Sequence, residues 1–93
     1  MSEEKAQKLG LKPLARILSF ADYEVDPMDF CIAPAKAVQI ALERAGKKNT
    51  DVDYHEINEA FSTTVLANMK LLDLDYERVN VHGGAVAMGH PIG

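Results

Sequence analysis

Cysteine occurs once in these 93 residues, as Cys31, and tryptophan not at all. A single thiol excludes an internal disulfide and suits a reducing compartment. No apolar run approaches the roughly 20 residues that span a bilayer, so a membrane-embedded helix is excluded. Basic residues are outnumbered, 10 Lys and Arg against 14 Asp and Glu for a formal charge of −4, and they are scattered. Nucleic acid or an anionic membrane would need a clustered basic face, so neither is an expected partner. Internal repeats and low-complexity segments are lacking too. The opening Met1-Ser2-Glu3-Glu4-Lys5 carries neither a signal peptide nor an Arg-rich transit sequence, which places any organellar address outside this stretch.

What the chain does have is 47% hydrophobic and 26% charged residues, the balance of a globular protein. At this length folding buries only roughly 60–65% of the unfolded surface, so the loss of any neighbouring segment weighs heavily.

Ser2 as N-cap, Glu3 and Glu4 in the first turn and Gly10 as a stop predict a short helix over residues 3–9. The apolar run 14–20, interrupted only by Arg16 and Ser19, predicts a strand. Residues 22–34 read as loop, punctuated by Asp26-Pro27 and by Pro34, which suits the first turn of the next helix. Ala37, Val38, Ala41, Leu42 and Ala45 then repeat at helical spacing up to Gly46. Residues 52–57 form a second strand candidate, a helix is expected from Glu59 to about Leu72, and 79–81 form a third strand candidate. Asp73-x-Asp75 lacks the glycine and distal glutamate of a calcium loop and reads as a solvated turn. Strand, helix, strand, helix, strand after a short helix is an α/β order with parallel crossovers.

The chemistry concentrates at the end, where Val79-Asn80-Val81 opens into His82-Gly83-Gly84-Ala85-Val86-Ala87-Met88-Gly89-His90-Pro91-Ile92-Gly93. Gly83, Gly84 and Gly89 remove side chains where a backbone must turn sharply or let a ligand come close, and Pro91 stiffens the segment that presents His90. Gly84 and Gly89 have the Walker A spacing, but His90 and Pro91 stand where Lys and Ser or Thr are needed, and no G-x-G-x-x-G surrounds the glycines. In a parallel sheet ligands gather at the carboxyl ends of the strands, and Asn58 and the segment 82–90 close the second and third. On residues alone two readings stay open: a convergent site, or a tight connection with Asn58 as a helix N-cap and Phe61 at core spacing.

Residues 83–93 match the thiolase signature G-G-A-x-x-x-G-H-P-x-G at every fixed position, and Asn58-Glu59-Ala60-Phe61 matches the thiolase N-E-A-F motif. The chain therefore resembles the thiolase family. Residues 13–22, 29–34 and 66–70 are most similar to its mitochondrial acetoacetyl-CoA branch. The resemblance implies an incomplete C-terminal half of the thiolase fold in residues 13–93, with 1–12 belonging to an N-terminal half that is not here. It implies that His90 takes a proton from a nucleophilic cysteine, whose thiolate accepts the acyl group. Imidazole suits that task because it titrates near neutral pH. The same ring, with a water held by Asn58, would form an oxyanion hole for the enolate of acetyl-CoA. Phe61 would line the acyl pocket, and Gly83, Gly84 and Gly89 would let the loop pass close to the thioester. Glu59, expected as the first helical residue, would complement the helix dipole.

The resemblance further implies a monovalent cation, potassium, near Val86, with coenzyme A thioesters as substrates and no other cofactor. His82 stands where the family commonly has Asn, and no ligand spacing joins it to His55 and His90 as a metal set. Cys31 lies outside the nucleophile's motif, and both cysteines of the family's chemistry are expected elsewhere. The expectation is thus part of an acetyl-CoA C-acetyltransferase, inactive alone and by resemblance mitochondrial, with the cytosol as the alternative. The alternative is a non-catalytic product that associates with itself or with thiolase subunits through exposed strand edges.

Overall fold

A computed structural model describes residues 1–92, so Gly93, the last fixed position of the signature, lies outside the described residues. Three α-helices carry the structure: α1 over Glu3–Lys8, α2 over Ala33–Arg44 and α3 over Ser62–Leu72. Short 3-10 turns at Pro27–Ile32, Asn49–Asp51, Tyr76–Arg78 and Ala85–Ala87 join and follow them.

The helix ends form where the sequence writes them. Ser2 Oγ accepts the Lys5 N–H at 3.2 Å, relieving one of the unpaired donors of α1. Gly10, at φ +64°, lets the Gly10 and Leu11 N–H groups fold back to the carbonyls of Gln7 and Ala6. Gly46, also at φ +64°, lets the Gly46 and Lys47 N–H groups close α2 on Glu43 and Leu42 in the same way. A side chain at either glycine would be held in a left-handed conformation that costs about 1–2 kcal/mol.

The α/β order is corrected at its strands. Among the described residues the only β pairing is a single parallel bridge between His55 and Val79. It joins the second and third strand candidates in the expected sense, His55 N–H donating to the Arg78 carbonyl at 2.8 Å and Asn80 N–H to the His55 carbonyl at 2.9 Å. The first candidate, residues 14–20, forms no strand. It lies along α2, where the Ser19 hydroxyl donates to the Ala41 carbonyl at 2.6 Å and Arg44 to the Phe20 carbonyl at 2.8 Å. Strand propensity expresses itself only against a partner, and none of the described segments lies beside this one to receive its backbone groups. Leu14, Ile17 and Phe20 are left exposed. Two smaller corrections are local. Asp26 caps a 3-10 turn inside the expected loop, accepting the Met28 N–H at 3.0 Å, and α3 begins at Ser62 rather than Glu59.

The apolar core is correspondingly small, consisting of Ala6, Ala35, Val65, Leu72 and Val79. Solvent reaches 7630 Å² of surface, against about 5,300 Å² for a compact monomer of this mass. The packing centre is the junction of α3 with the Pro27–Ile32 turn and α2. There Asn68, fully buried, donates to the Cys31 and Thr64 carbonyls at 2.7 Å each. The Thr64 hydroxyl meets the Cys31 sulfur at 3.3 Å, so this thiol is held in the structural junction.

His55 is buried beside the bridge, and burial first, with the Arg78 charge second, holds its imidazole below the ordinary value of 6.5. As pH falls the unfolded chain binds the proton first, so this part of the stability is present above about pH 6.5 and drains away below it. Thermal midpoints measured between about pH 7 and pH 5 should therefore fall, and His55→Gln should flatten that slope. An equal slope in the variant would place the effect on other groups.

Candidate functional site

The site grows from the bridge. Val79 is buried, and immediately after it Asn80 adopts φ +49°, a left-handed conformation that asparagine tolerates better than most residues. That turn aims its side chain back at the other segment, where Asn80 Oδ1 accepts the Ile57 N–H at 2.8 Å and Nδ2 donates to the Ile57 carbonyl at 2.9 Å. The carboxamide thus continues the parallel ladder for one residue beyond the backbone.

Gly83, at φ +92°, donates its N–H to the Asn80 carbonyl at 2.8 Å and redirects the chain. The Ala85–Ala87 turn follows, closed by the Met88 and Gly89 N–H groups on the Ala85 carbonyl at 2.9 and 2.7 Å. Gly89 then takes φ +119°, a conformation that L side chains rarely adopt, and delivers His90 to the surface. The imidazole stands on the wall of an open cleft of about 390 Å³ that it shares with Phe61, Val86 and Gly89. Across the adjacent backbone, Asn58 Nδ2 donates to the Pro91 carbonyl at 3.0 Å and ties its own segment to the residue after His90. Phe61, extended at the head of α3 and half-exposed, stacks edge-on against Phe30 with ring centres 6.3 Å apart.

Of the residues named from the sequence, His90, Phe61, Gly89 and Val86 meet in this cleft, and Asn58 is bonded at its edge. Gly83 and Gly84 line a different hollow, together with Val79 and Asn80. Space for a Cβ on Gly84 is filled by the Glu59 carboxylate. His82 is exposed, and among the described residues no three His, Cys, Asp or Glu side chains cluster for a metal ion.

Asn58 is not the N-cap of α3, nor is Glu59 its first residue; the extended segment 58–61 precedes the helix. Glu59 instead accepts the Val86 N–H at 2.9 Å and Asn80 Nδ2 at 3.0 Å. The Val86 bond, then the Asn80 bond, holds its carboxyl below the usual carboxylate range. A carboxylate kept ionised by two donors is a weak base at neutral pH. Sequence reasoning missed this use of Glu59 and missed Asn80 altogether. The available signal was an asparagine three residues before the glycine pair, a residue type that tolerates a left-handed turn.

The family pattern described as "Thiolase, C-terminal domain" matches residues 11–93. The chain belongs to the thiolase family. Mitochondrial acetyl-CoA acetyltransferase of Mus musculus is 58% identical over the whole chain, which covers 22% of that protein. Among solved thiolases, one from Ascaris suum in complex with coenzyme A superposes at a TM-score of 0.94 with 52% identity, and 99% of this chain covers 24% of it. Human mitochondrial 3-ketoacyl-CoA thiolase gives a TM-score of 0.94 at 43% identity, with 99% of this chain covering 23% of it. The chain thus spans less than a quarter of the length of the thiolases it matches. Its backbone nevertheless follows theirs almost throughout, including where strand pairing is lacking.

Proposed function

We propose that this chain supplies the base-bearing wall of an acetyl-CoA C-acetyltransferase site and makes or cleaves acetoacetyl-CoA only with a cysteine from another stretch of polypeptide. The observation that carries the reading is the exposed His90 on the wall of a cleft with Phe61, its segment bonded to Asn58 through Pro91. The Ascaris suum relative, similar over nearly the whole chain, was solved with coenzyme A bound, which supports a coenzyme A thioester as the substrate.

In that reaction a His90 ring nitrogen takes the proton of the cysteine thiol. The thiolate forms a carbon–sulfur bond to the 3-keto carbonyl of acetoacetyl-CoA, the bond between C2 and C3 breaks, and the acetyl-CoA enolate so released takes its proton at carbon from the second external cysteine. Asn58 holds the water that, with His90, stabilises the enolate oxygen. Phe61 packs the acyl group and Gly89 leaves room for the thioester beside His90. Gly83 and Gly84 shape the turn that makes this approach possible. Val86 contributes at most a carbonyl to a potassium ion, because hard cations take oxygen ligands and its N–H is given to Glu59.

Cys31 cannot replace the external cysteine where it stands, since its sulfur accepts from Thr64 in the helical junction and is not part of the His90 cleft. Purified chain is expected to leave acetoacetyl-CoA intact. Bacillus anthracis acetyl-CoA acetyltransferase, 51% identical with a TM-score of 0.93, should retain activity when the matched segment is replaced by these 93 residues. Robust cleavage by the isolated chain, or an inert but folded chimaera, would refute the reading. Asn58→Ala in the active chimaera should lower kcat about 100-fold, the usual effect of losing one oxyanion donor.

A second reading is supported by the exposed Leu14, Ile17 and Phe20 beside backbone groups that lack strand partners. Such a segment would drive self-association or capture of thiolase subunits, and residues 1–12 would dock on a neighbouring domain in the same way. Sedimentation of the purified chain distinguishes a monomer from an assembly. The mitochondrial names of similar proteins support a mitochondrial setting.

A further inference from the structure

Two side chains outside the proposed chemistry converge on the residues that carry it. Asn80 bonds both backbone groups of Ile57, directly before Asn58, while Glu59, directly after it, bonds Asn80 and the Val86 N–H. Residue 58 is therefore strung between two pinned neighbours. Val86 lies in the turn whose last residues lead through Gly89 to His90, so the same carboxylate fixes the far side of the cleft.

The residue types follow from these demands. At position 80 the chain needs a left-handed conformation together with one donor and one acceptor for Ile57; aspartate lacks the donor and glycine lacks both. At position 59 it needs two acceptor oxygens, Oε1 for Asn80 and Oε2 for Val86, which a carboxylate has and a carboxamide does not. A Cβ at position 84 would take the carboxylate's place and push it aside.

We propose that Asn80 and Glu59 are positioning residues that hold Asn58 and the His90 loop in a single arrangement. The proposal rests on the assignment of Asn58 and His90 to the site, but its test makes no use of catalysis. Neither Asn80 nor Glu59 needs to touch substrate: they restrict the backbone on both sides of Asn58 and tie it to the loop.

The experiment is proton–nitrogen NMR of the full 93-residue chain, following the Val86 amide, the Asn58 side-chain amide and the His90 ring. In the wild type at neutral pH these three give the reference signals, with the amides of α2 as controls.

At neutral pH, Glu59→Gln should speed exchange of the Val86 N–H about tenfold and shift the Asn58 and His90 signals. Gly84→Ala should reproduce those changes with the carboxylate chemically intact. Asn58 and His90 signals unmoved when Val86 loses its bond would overturn the proposal. So would changes that the amides of α2 share, since those report general unfolding. If both variants fail to fold, Asn80→Asp, which removes the donor to Ile57 and Glu59, decides by the same reporters. An inactive chimaera would sink the acyl-transfer reading and leave this result untouched, while an active chimaera with decoupled signals would sink only the positioning role.

Discussion

His90→Ala in the chimaeric acetyltransferase is expected to lower kcat for acetoacetyl-CoA cleavage by about 10³-fold or more, because general-base assistance alone contributes roughly 10²–10⁴. The imidazole has no substitute in the cleft. Glu59, the other titratable group there, is held ionised by Val86 and Asn80 and is a poor proton acceptor at neutral pH. His90 carries no helix or sheet contact whose loss would unfold the protein, and it is exposed at the surface. The thermal midpoint should accordingly stay within a few degrees of the parent. A variant that keeps more than about a tenth of the parental rate would show that the proton goes elsewhere.

Asn68→Leu is expected to destabilise the 93-residue chain by about 2–3 kcal/mol, the cost of a buried carbonyl left without its donor together with imperfect repacking. Asn68 is the largest fully buried side chain, and its amide is what holds the Cys31 carbonyl against α3. Its Oδ1 has no partner among the described residues, so the loss comes from the Cys31 and Thr64 carbonyls that its amide serves. In a domain of this size such a change lowers the thermal midpoint by about 10–20 °C. Few buried apolar side chains stand by to absorb it. A shift under about 3 °C would mean that the junction of α3 with the Pro27–Ile32 turn contributes little to stability.

What the sequence made legible was local. Ser2, Gly10 and Gly46 mark helix ends because each acts on groups within a few residues of itself. Sharp turns at Gly83 and Gly89 were likewise foreseeable, whereas Gly84, read in the same way, is extended and leaves space for the Glu59 carboxylate. Strands were not legible in the same way. Residues 14–20 form an apolar run, yet a strand exists only where a second segment accepts its hydrogen bonds, and an apolar pattern does not report whether one is there. The helix expected from Glu59 begins three residues later because the stretch before it is engaged elsewhere. Asn58 reaches Pro91 and Glu59 reaches Asn80 and Val86, more than twenty residues away in sequence. An asparagine before a helix and a glutamate after it look like capping chemistry until those distant partners are known. The approach of Asn58 to the His90 segment was one of two readings left open by the strand order and was favoured by the motif resemblance, whereas the Asn80 and Glu59 bonds required the three-dimensional arrangement.

The most direct test is to find the sulfur that receives the acyl group. The chimaera would be incubated with acetoacetyl-CoA, quenched in acid and mapped by peptide mass spectrometry. Acetyl on a cysteine of the host segment, absent from Cys31 and lost in His90→Ala, is the predicted result. Acetyl accumulating on Cys31, or on the host cysteine to the same extent without the imidazole, would contradict it.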